Sequence, residues 1–259
     1  MGSAMIHAAA KVIEPSQIVV ANRTLIKAQG IAEQINCTAA INNNEACKNV
    51  RYIVLCVKPQ VMLDVLTEIK DTVIKEAKKH ELTICTIAAG ISISFYKALL
   101  SDKIDVIRLL PNMNVLIGEG ITLLARSDKT PDQKVMEIEK IFSQSGKVKE
   151  IQERDMDASS TVSGCTPAFV CMFIEALADG AVMAGIPRED ALLYAAQAVK
   201  GTAAYILKTG EHPAVLKDKV CSPGGSTIVG VKALEDGGMR AATINAVVES
   251  YKKNRDLKY

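Results

Sequence analysis

The sequence has few residues suited to holding a metal ion. Only three histidines occur, His7, His80 and His212, and none lies near a cysteine or carboxylate at metal-ligand spacing. The seven cysteines form no CxxC pair, and an odd number in a chain of 259 residues does not suit a disulfide framework. We therefore expect no metal site, and we expect buried thiols in a reducing compartment.

Strong charge imbalance and long apolar runs are also absent. The formal net charge is only +2, so nothing favours a surface that binds nucleic acid. No uninterrupted apolar run reaches about 18 residues, the length that suggests a membrane span. The N-terminus has no apolar stretch followed by a cleavage site. The sequence therefore predicts a globular cytoplasmic protein without nucleic-acid or membrane partners.

Strand and helix patterns alternate over the first half of the chain. Short runs rich in β-branched residues predict strands at about 18–21, 52–57, 82–88 and 106–110, with further strands near 120–125 and 148–151. Runs this apolar are typical of parallel strands that are covered on both faces. Helical segments are predicted between them at roughly 24–35, 60–77 and 92–100. The order predicts a doubly wound Rossmann-type sheet.

The second half predicts only helices. The last helix of the first half is predicted to have Thr130 as its cap, Pro131 at its first position and Gly146 at its end. After residue 155 small and apolar residues are abundant, and the first long helix is predicted to break near Pro167. The remaining helices are predicted at about 187–208, 213–220, 226–236 and 240–256. We predict a dinucleotide-binding domain over 1–152 and an all-α domain over 153–259.

The chain starts inside the expected dinucleotide-binding motif. Such a unit opens with a strand, then GxGxxG, then a helix whose N-terminus faces the pyrophosphate. Here Gly2 is followed at once by helical sequence, so we expect the Rossmann domain to lack its first strand and the recorded start to be truncated. The segments 18–21 and 52–56 are then expected to flank a gap rather than to pair with each other.

A glycine-rich turn precedes the helix predicted at 226–236. The glycines of Ser222-Pro223-Gly224-Gly225 allow a tight turn with converging N–H groups, and the helix N-terminus beyond it suits an anion such as a carboxylate. Ser226 and Thr227 add hydroxyl groups. Taken alone, this pattern is better explained by an ordinary helix-capping turn.

Several segments in order along the chain resemble the pyrroline-5-carboxylate reductase family. The most specific is KVCSPGGSTIVGVKALE at 219–235. The opening MGSAM resembles the end of the family's GxGxMGxAM, and SGCTPAF resembles its SGSGPAY with Cys165 and Thr166 in place of Ser and Gly. Further matches are ANRT at 21–24, VKPQ at 57–60, IAAG at 87–90, RLLPN at 108–112, EALADG at 175–180 and EHP at 211–213.

The resemblance implies an enzyme that reduces 1-pyrroline-5-carboxylate to L-proline with a nicotinamide cofactor, as a homodimer or larger homo-oligomer joined through the helical domain. It places the substrate near Glu153 and on the turn, with Thr227 as the catalytic residue that hydrogen-bonds the ring nitrogen. The substrate residues it implies are Glu153, Ser222, Gly224, Gly225, Ser226 and Thr227. The cofactor residues it implies are Gly2, Asn22, Arg23, Thr24, Asn43, Val57, Lys58, Pro59, Ala88 and Ala89.

The residues after the second expected strand indicate which cofactor is used. A site specific for NAD usually ends this strand with an acid that holds the ribose hydroxyls. Here Asn22, Arg23 and Thr24 occupy the position, and a guanidinium pairs well with a 2′-phosphate. We therefore predict NADPH, with NADH as the alternative cofactor.

The role of Glu153 has two interpretations. The resemblance makes it a substrate contact, and a solvated acid in front of a helix is an equally good interpretation.

Two other functions remain open from the sequence. One is a related NADP-dependent reductase such as a 3-hydroxyacid dehydrogenase, which would use a lysine of the helical domain, for which Lys200 is the candidate. The other is an inactive chain that acts only as a dimerisation partner, since the first strand is absent. Turnover of a 3-hydroxyacid would favour the first, and dimerisation without NADPH binding would favour the second.

Overall fold

The structure is a computed structural model that describes residues 1–256. It consists of two compact units. Unit 1 contains Met1–Gly164 and the last turns of the C-terminal helix from Tyr251, and unit 2 contains Cys165–Ser250. The division falls inside one long helix, so the two units share a continuous backbone.

Unit 1 is an α/β structure, as the sequence predicts. Its strands are β1 (Val19–Val20), β2 (Thr38–Ala39), β3 (Tyr52–Leu55), β4 (Thr83–Thr86), β5 (Asp105–Pro111), β6 (Gly120–Arg126) and β7 (Gly146–Glu150). Its helices are α1 (Gly2–Ala9), α2 (Leu25–Ile35), α3 (Asn43–Ala46), α4 (Met62–Ala77), α5 (Ile93–Leu99), α6 (Asp132–Ile141) and the first part of α7 (Met156–Met183). The Rossmann-type class is confirmed, although the short strand β2 had no clear signal in the sequence.

The strands form two sheets. β1 pairs with β2 in parallel, and β3, β4 and β5 are parallel neighbours in a five-stranded sheet of order β3-β4-β5-β6-β7. β6 runs antiparallel to β5, and β7 runs parallel to β6. β1 and β3 belong to different sheets, so the prediction that segments 18–21 and 52–56 do not pair is confirmed.

Alternate residues of the central strands face two different cores. Ile84 and Val106 pack with Leu66 and Ile69 of α4 on one face of the sheet. Cys85 and Ile107, their neighbours along β4 and β5, pack on the other face in a cluster that also contains Met5 of α1 and Ile138 of α6. Both faces are therefore covered, which explains why the strands read as continuous apolar runs.

Unit 2 is all helical. It contains the rest of α7, then α8 (Arg188–Thr209), α9 (Pro213–Val220), α10 (Ser226–Asp236) and most of α11 (Met239–Asp256). Only Ala178, Ala191 and Ala195 are buried in it, while side chains such as Leu193 and Leu207 are 62% and 73% exposed. A set of helices with so small a core needs another surface to cover its apolar side chains.

The predicted break of the long helix at Pro167 is wrong. A proline has no N–H to donate to the carbonyl four residues earlier, and in α7 that carbonyl belongs to Ser163. The side-chain Nδ2 of Asn112 donates to the Ser163 carbonyl at 3.0 Å instead. Because the orphaned carbonyl is satisfied from outside the helix, α7 continues through the proline.

The predicted ends of α6 also need correction. The helix begins at Asp132 with Pro131 in the capping position. Thr130 does not cap it, because its buried hydroxyl lies 2.7 Å from Oγ of Ser127 and donates to Asp105. Gly146 does not end it either, since the helix stops at Ile141 and Gly146 is the first residue of β7.

One helical stretch, Glu153–Met183, is long and apolar enough by length and composition to cross a membrane. Core helices of globular proteins pass the same test, and no uninterrupted apolar run underlies it. Only 11% of its most apolar window is buried within the chain. The stretch thus adds to the exposed apolar surface of the helical part of the protein.

Candidate active site

The predicted cofactor residues of unit 1 follow the carboxyl ends of parallel strands. Asn22–Thr24 follow β1, Val57–Pro59 follow β3, and Ala88 and Ala89 follow β4. Ligands of open α/β sheets bind outside this edge. The structure therefore puts these three predicted segments where a dinucleotide binds in such folds.

Gly2 opens helix α1 next to the end of β3. A Cβ atom at Gly2 would lie 2.8 Å from Cβ of Cys56, so a larger residue would push the helix away from the strand. No side chain caps the N-terminus of α1, which leaves its first N–H groups available to an anion. Burial raises the pKa of the Cys56 thiol to about 11, so the thiol is no nucleophile here.

The loop after β1 presents one exposed cation. Oδ1 of Asn22 accepts a hydrogen bond from the N–H of Thr24 at 3.0 Å, which fixes the loop as an Asx turn. Arg23, between them, is exposed and makes no hydrogen bond or ion pair with any residue in 1–256. The turn therefore holds the backbone while the guanidinium stays free for a ligand.

Asn43 and Lys58 differ in how far the protein already uses them. Nδ2 of Asn43 donates to Oε2 of Glu68 at 2.8 Å, so this side chain is partly held by the protein. Lys58 is exposed and precedes a short 3-10 turn that starts at Pro59. Of the two, only the Lys58 side chain is free to move towards a ligand.

Glu153 is not a solvated acid. Its Oε1 accepts a hydrogen bond of 2.7 Å from Nη1 of Arg108 and another of 2.7 Å from the backbone N–H of Ile93. Arg108 is only 5% exposed, and the register of the sheet places it beside Thr86. One carboxylate oxygen of Glu153 thus accepts two hydrogen bonds from the protein itself. The predicted contact between Glu153 and the substrate stays a prediction.

Sequence reasoning assigned no role to Arg108, although a signal was present. An arginine in the middle of the apolar strand segment VIRLL has to be buried, and a buried cation needs a partner. The partner could not be named, because Glu153 lies 45 positions further along the chain.

The predicted substrate turn of unit 2 has the expected shape. Gly224 adopts φ +69°, a conformation that favours glycine, and the N–H of Gly225 donates to the Ser222 carbonyl at 3.0 Å. Gly225 caps α10, and no side chain caps this helix end. The hydroxyls of Ser226 and Thr227 are exposed and hydrogen-bond to no other residue in the described part of the chain. The turn therefore offers N–H and O–H donors at a helix N-terminus, which suits a carboxylate.

Within residues 1–256 no group of three or more His, Cys, Asp or Glu side chains is placed to hold a metal ion. All seven cysteines are free thiols. Lys200, the lysine considered for a dehydrogenase mechanism, is exposed on α8.

Parallel strands with the predicted dinucleotide loops at their carboxyl ends, followed by a helical unit, are the architecture of an NAD(P)-dependent oxidoreductase. Residues 1–88 match the model of the family "NADP oxidoreductase coenzyme F420-dependent". Residues 153–257 match the model "Pyrroline-5-carboxylate reductase dimerisation". The chain is 37% identical over 243 residues to the pyrroline-5-carboxylate reductase of Escherichia coli, covering 94% of this chain and 88% of that one. The protein belongs to the pyrroline-5-carboxylate reductase family.

Solved structures of the same family have the same fold. A pyrroline-5-carboxylate reductase from Coxiella burnetii aligns with a TM-score of 0.91 at 27% identity, over 100% of this chain and 94% of that one. The enzyme from Plasmodium falciparum, solved with NADP bound, aligns with a TM-score of 0.85 at 27% identity, over 100% and 95% of the two chains. The family and the fold class predicted from the motifs are confirmed.

Proposed function

We propose that the protein reduces 1-pyrroline-5-carboxylate to L-proline with NADPH. The observation that carries the proposal is the turn at Ser222–Thr227, which directs donors towards a carboxylate-sized ligand in a chain of this family. The ring nitrogen of the substrate is an imine, which is basic enough to be protonated. Its carbon then accepts a hydride readily, so the protein mainly has to position the reactants and exclude water.

The proposed substrate contacts come from the turn and from α10. The N–H groups around Gly225, Ser226 and Thr227 bind the substrate carboxylate, helped by the positive end of the helix dipole. The Thr227 hydroxyl hydrogen-bonds the ring nitrogen. A Cβ atom at position 225 would lie 2.4 Å from Oγ of Ser222, so a larger residue there would displace that hydroxyl.

The proposed cofactor contacts come from the loops of unit 1, and the residues present fit a dinucleotide. Gly2 lets the open N-terminus of α1 approach β3, where it suits the pyrophosphate. Asn43 and Val57–Pro59 lie on the adenosine side, and exposed Ala89 leaves room for the nicotinamide. NADPH supplies the hydride when it is bound.

Arg23 is proposed to select NADPH over NADH by pairing with the 2′-phosphate. Arg23→Ala should raise the KM for NADPH roughly 10- to 100-fold, since a hydrogen bond to a charged group contributes about 1.5–3 kcal/mol, and should leave the KM for NADH unchanged. Lys27→Ala removes an exposed charge one turn into α2 and is the matched control. Equal effects of Arg23→Ala on both cofactors would rule out the 2′-phosphate contact.

The match of residues 153–257 to the dimerisation model indicates that the chain forms homo-oligomers, and we propose a homodimer as the basic unit. Leu193 and Leu207 lie on one face of α8 and are exposed within the chain. Light scattering should give at least twice the 27.8 kDa mass of one chain. Leu193→Glu with Leu207→Glu should yield monomers, whereas Met136→Glu, at an exposed position of α6, should not. A double variant that keeps the parent mass would move the interface to other helices.

We also propose that the sequence domains divide at 152 and 153, where the match to the dimerisation model begins. The free thiols support a cytoplasmic location, since disulfides are rare there.

The direct test is oxidation of NADPH, followed by its absorbance, with 1-pyrroline-5-carboxylate as the substrate. The expected result is turnover that depends on both reactants and yields L-proline. Turnover of a 3-hydroxyacid instead would assign the chain to the related dehydrogenases. A folded dimer that binds no NADPH would indicate an inactive partner chain.

A further inference from the structure

The turn between β4 and α5, residues 87–92, is the segment that the proposed function puts against the nicotinamide. Ala89 and Gly90 are exposed, and Gly90 adopts φ +77°. Ala88 and Ile91, on either side of them, are each only 3% exposed. The exposed tip therefore lies between two buried ends. The contacts that hold these two ends determine the position of the tip.

The first end is held by two buried hydroxyl groups. The backbone N–H of Ala88 donates to Oγ1 of Thr86 at 3.3 Å, and Oγ1 of Thr86 lies 2.7 Å from the hydroxyl of Tyr96. Tyr96 is fully buried, and burial raises the pKa of its hydroxyl to about 12. The hydroxyl pair is thus neutral across the working pH range.

The second end is held by an ion pair that comes from outside the turn. Glu153 accepts from the N–H of Ile93, the first residue of α5, and the same oxygen accepts from Arg108. The Arg108 side chain is 6% exposed, and its Nε has no hydrogen-bond partner among the described residues. Because Arg108 stands beside Thr86 in the sheet, both anchors start from neighbouring strands.

We propose that Glu153 is a positioning residue, which acts with Arg108 and Tyr96 to fix the 87–92 turn so that its exposed tip, Ala89 and Gly90, meets the nicotinamide ring in a productive geometry. The inference rests on the proposed function for the identity of the ring. It differs from the predicted substrate contact, because here Glu153 acts through the turn and touches neither reactant.

The test compares cofactor binding with and without the nicotinamide. Glu153→Gln should lower kcat about 10- to 100-fold, the range expected when a reacting group is misplaced by up to about 1 Å. It should weaken binding of NADPH, measured by its fluorescence, and leave the Kd of adenosine 2′,5′-bisphosphate unchanged. Tyr96→Phe, which removes one hydroxyl and keeps the ring in the core, should act in the same direction.

Glu150→Gln is the matched control. Glu150 of β7 pairs with Nε of Arg126 of β6 at 2.8 Å, so this variant also removes a carboxylate from an arginine, but one that bonds to no residue of the 87–92 turn. It should change neither kcat nor the two binding constants. Circular dichroism and the melting temperature of each variant establish that it is folded.

Three results would overturn the proposal. A higher KM for 1-pyrroline-5-carboxylate, with kcat and NADPH binding unchanged, would make Glu153 a substrate contact. Equal loss of NADPH and bisphosphate binding would make the ion pair a structural support of the whole domain. No change in any quantity would remove Glu153 from the site. The binding measurements need no turnover, so they remain decisive even if the wild-type chain fails to reduce 1-pyrroline-5-carboxylate.

Discussion

Thr227→Val is expected to lower kcat/KM for 1-pyrroline-5-carboxylate by about 100-fold, the lower part of the range for a group that assists proton transfer. Valine keeps the shape of threonine and removes only the hydroxyl that is assigned to the ring nitrogen. The hydroxyl is exposed and bonds to no other residue described, so the fold should not depend on it. Steady-state kinetics at saturating NADPH measure the effect.

Two further variants sharpen that prediction. Thr227→Ser keeps a hydroxyl and should retain most of the activity. Thr67→Val removes a hydroxyl that bonds only to the Leu63 carbonyl on an exposed face of α4, and it should leave kcat/KM unchanged. A Thr227→Val enzyme as active as the serine variant would mean that the protein gives the ring nitrogen no hydrogen bond through this residue.

Gly146→Ala should reduce the free energy of unfolding of unit 1 by about 3 kcal/mol or more, because a conformation that favours glycine costs about 1–3 kcal/mol and the steric clash of the added methyl costs about 1–3 kcal/mol more. Gly146 has φ +119°, and a Cβ atom there would lie 2.1 Å from the Gly120 carbonyl oxygen. These two glycines are paired at the start of the β6–β7 ladder, so the clash is between backbones and cannot be relieved by a side-chain rotation.

Gly30→Ala provides a control of opposite sign. Gly30 lies inside α2, and a Cβ atom there would meet nothing within 4 Å. Alanine should therefore stabilise the helix by about 0.5–1 kcal/mol. Urea unfolding followed by circular dichroism measures both variants. A Gly146→Ala protein as stable as its parent would mean that β7 can detach from β6 without loss of the fold.

The apolar pattern of the strands was enough to predict most of unit 1. β4 and β5 are buried on both faces, so their sequences carry a signal that does not depend on distant partners. The glycines of the substrate turn were also readable, because the φ angle at Gly224 is a local property. The family motifs then supplied roles that composition and spacing leave open.

The features that sequence reasoning missed depend on contacts between distant residues. Pro167 should end a helix by local rules, but the Asn112 side chain, 51 positions from the carbonyl it reaches, satisfies the Ser163 carbonyl that the proline leaves without a donor. From the sequence, Glu153 is as well explained by an exposed acid, and only the fold shows that Arg108 lies beside it. Thr130 follows the rule for a helix cap, yet its hydroxyl forms bonds to Ser127 and Asp105 instead.

The three buried alanines of unit 2 bear on how an active enzyme is made. Because one chain encloses so little apolar surface, we expect the helices to gain most of their stability when another copy of the chain covers them. The melting temperature should then rise with protein concentration. In a cell, a newly made chain should be sensitive to proteases until it associates with another copy. Halving expression should therefore reduce the amount of mature enzyme by more than half.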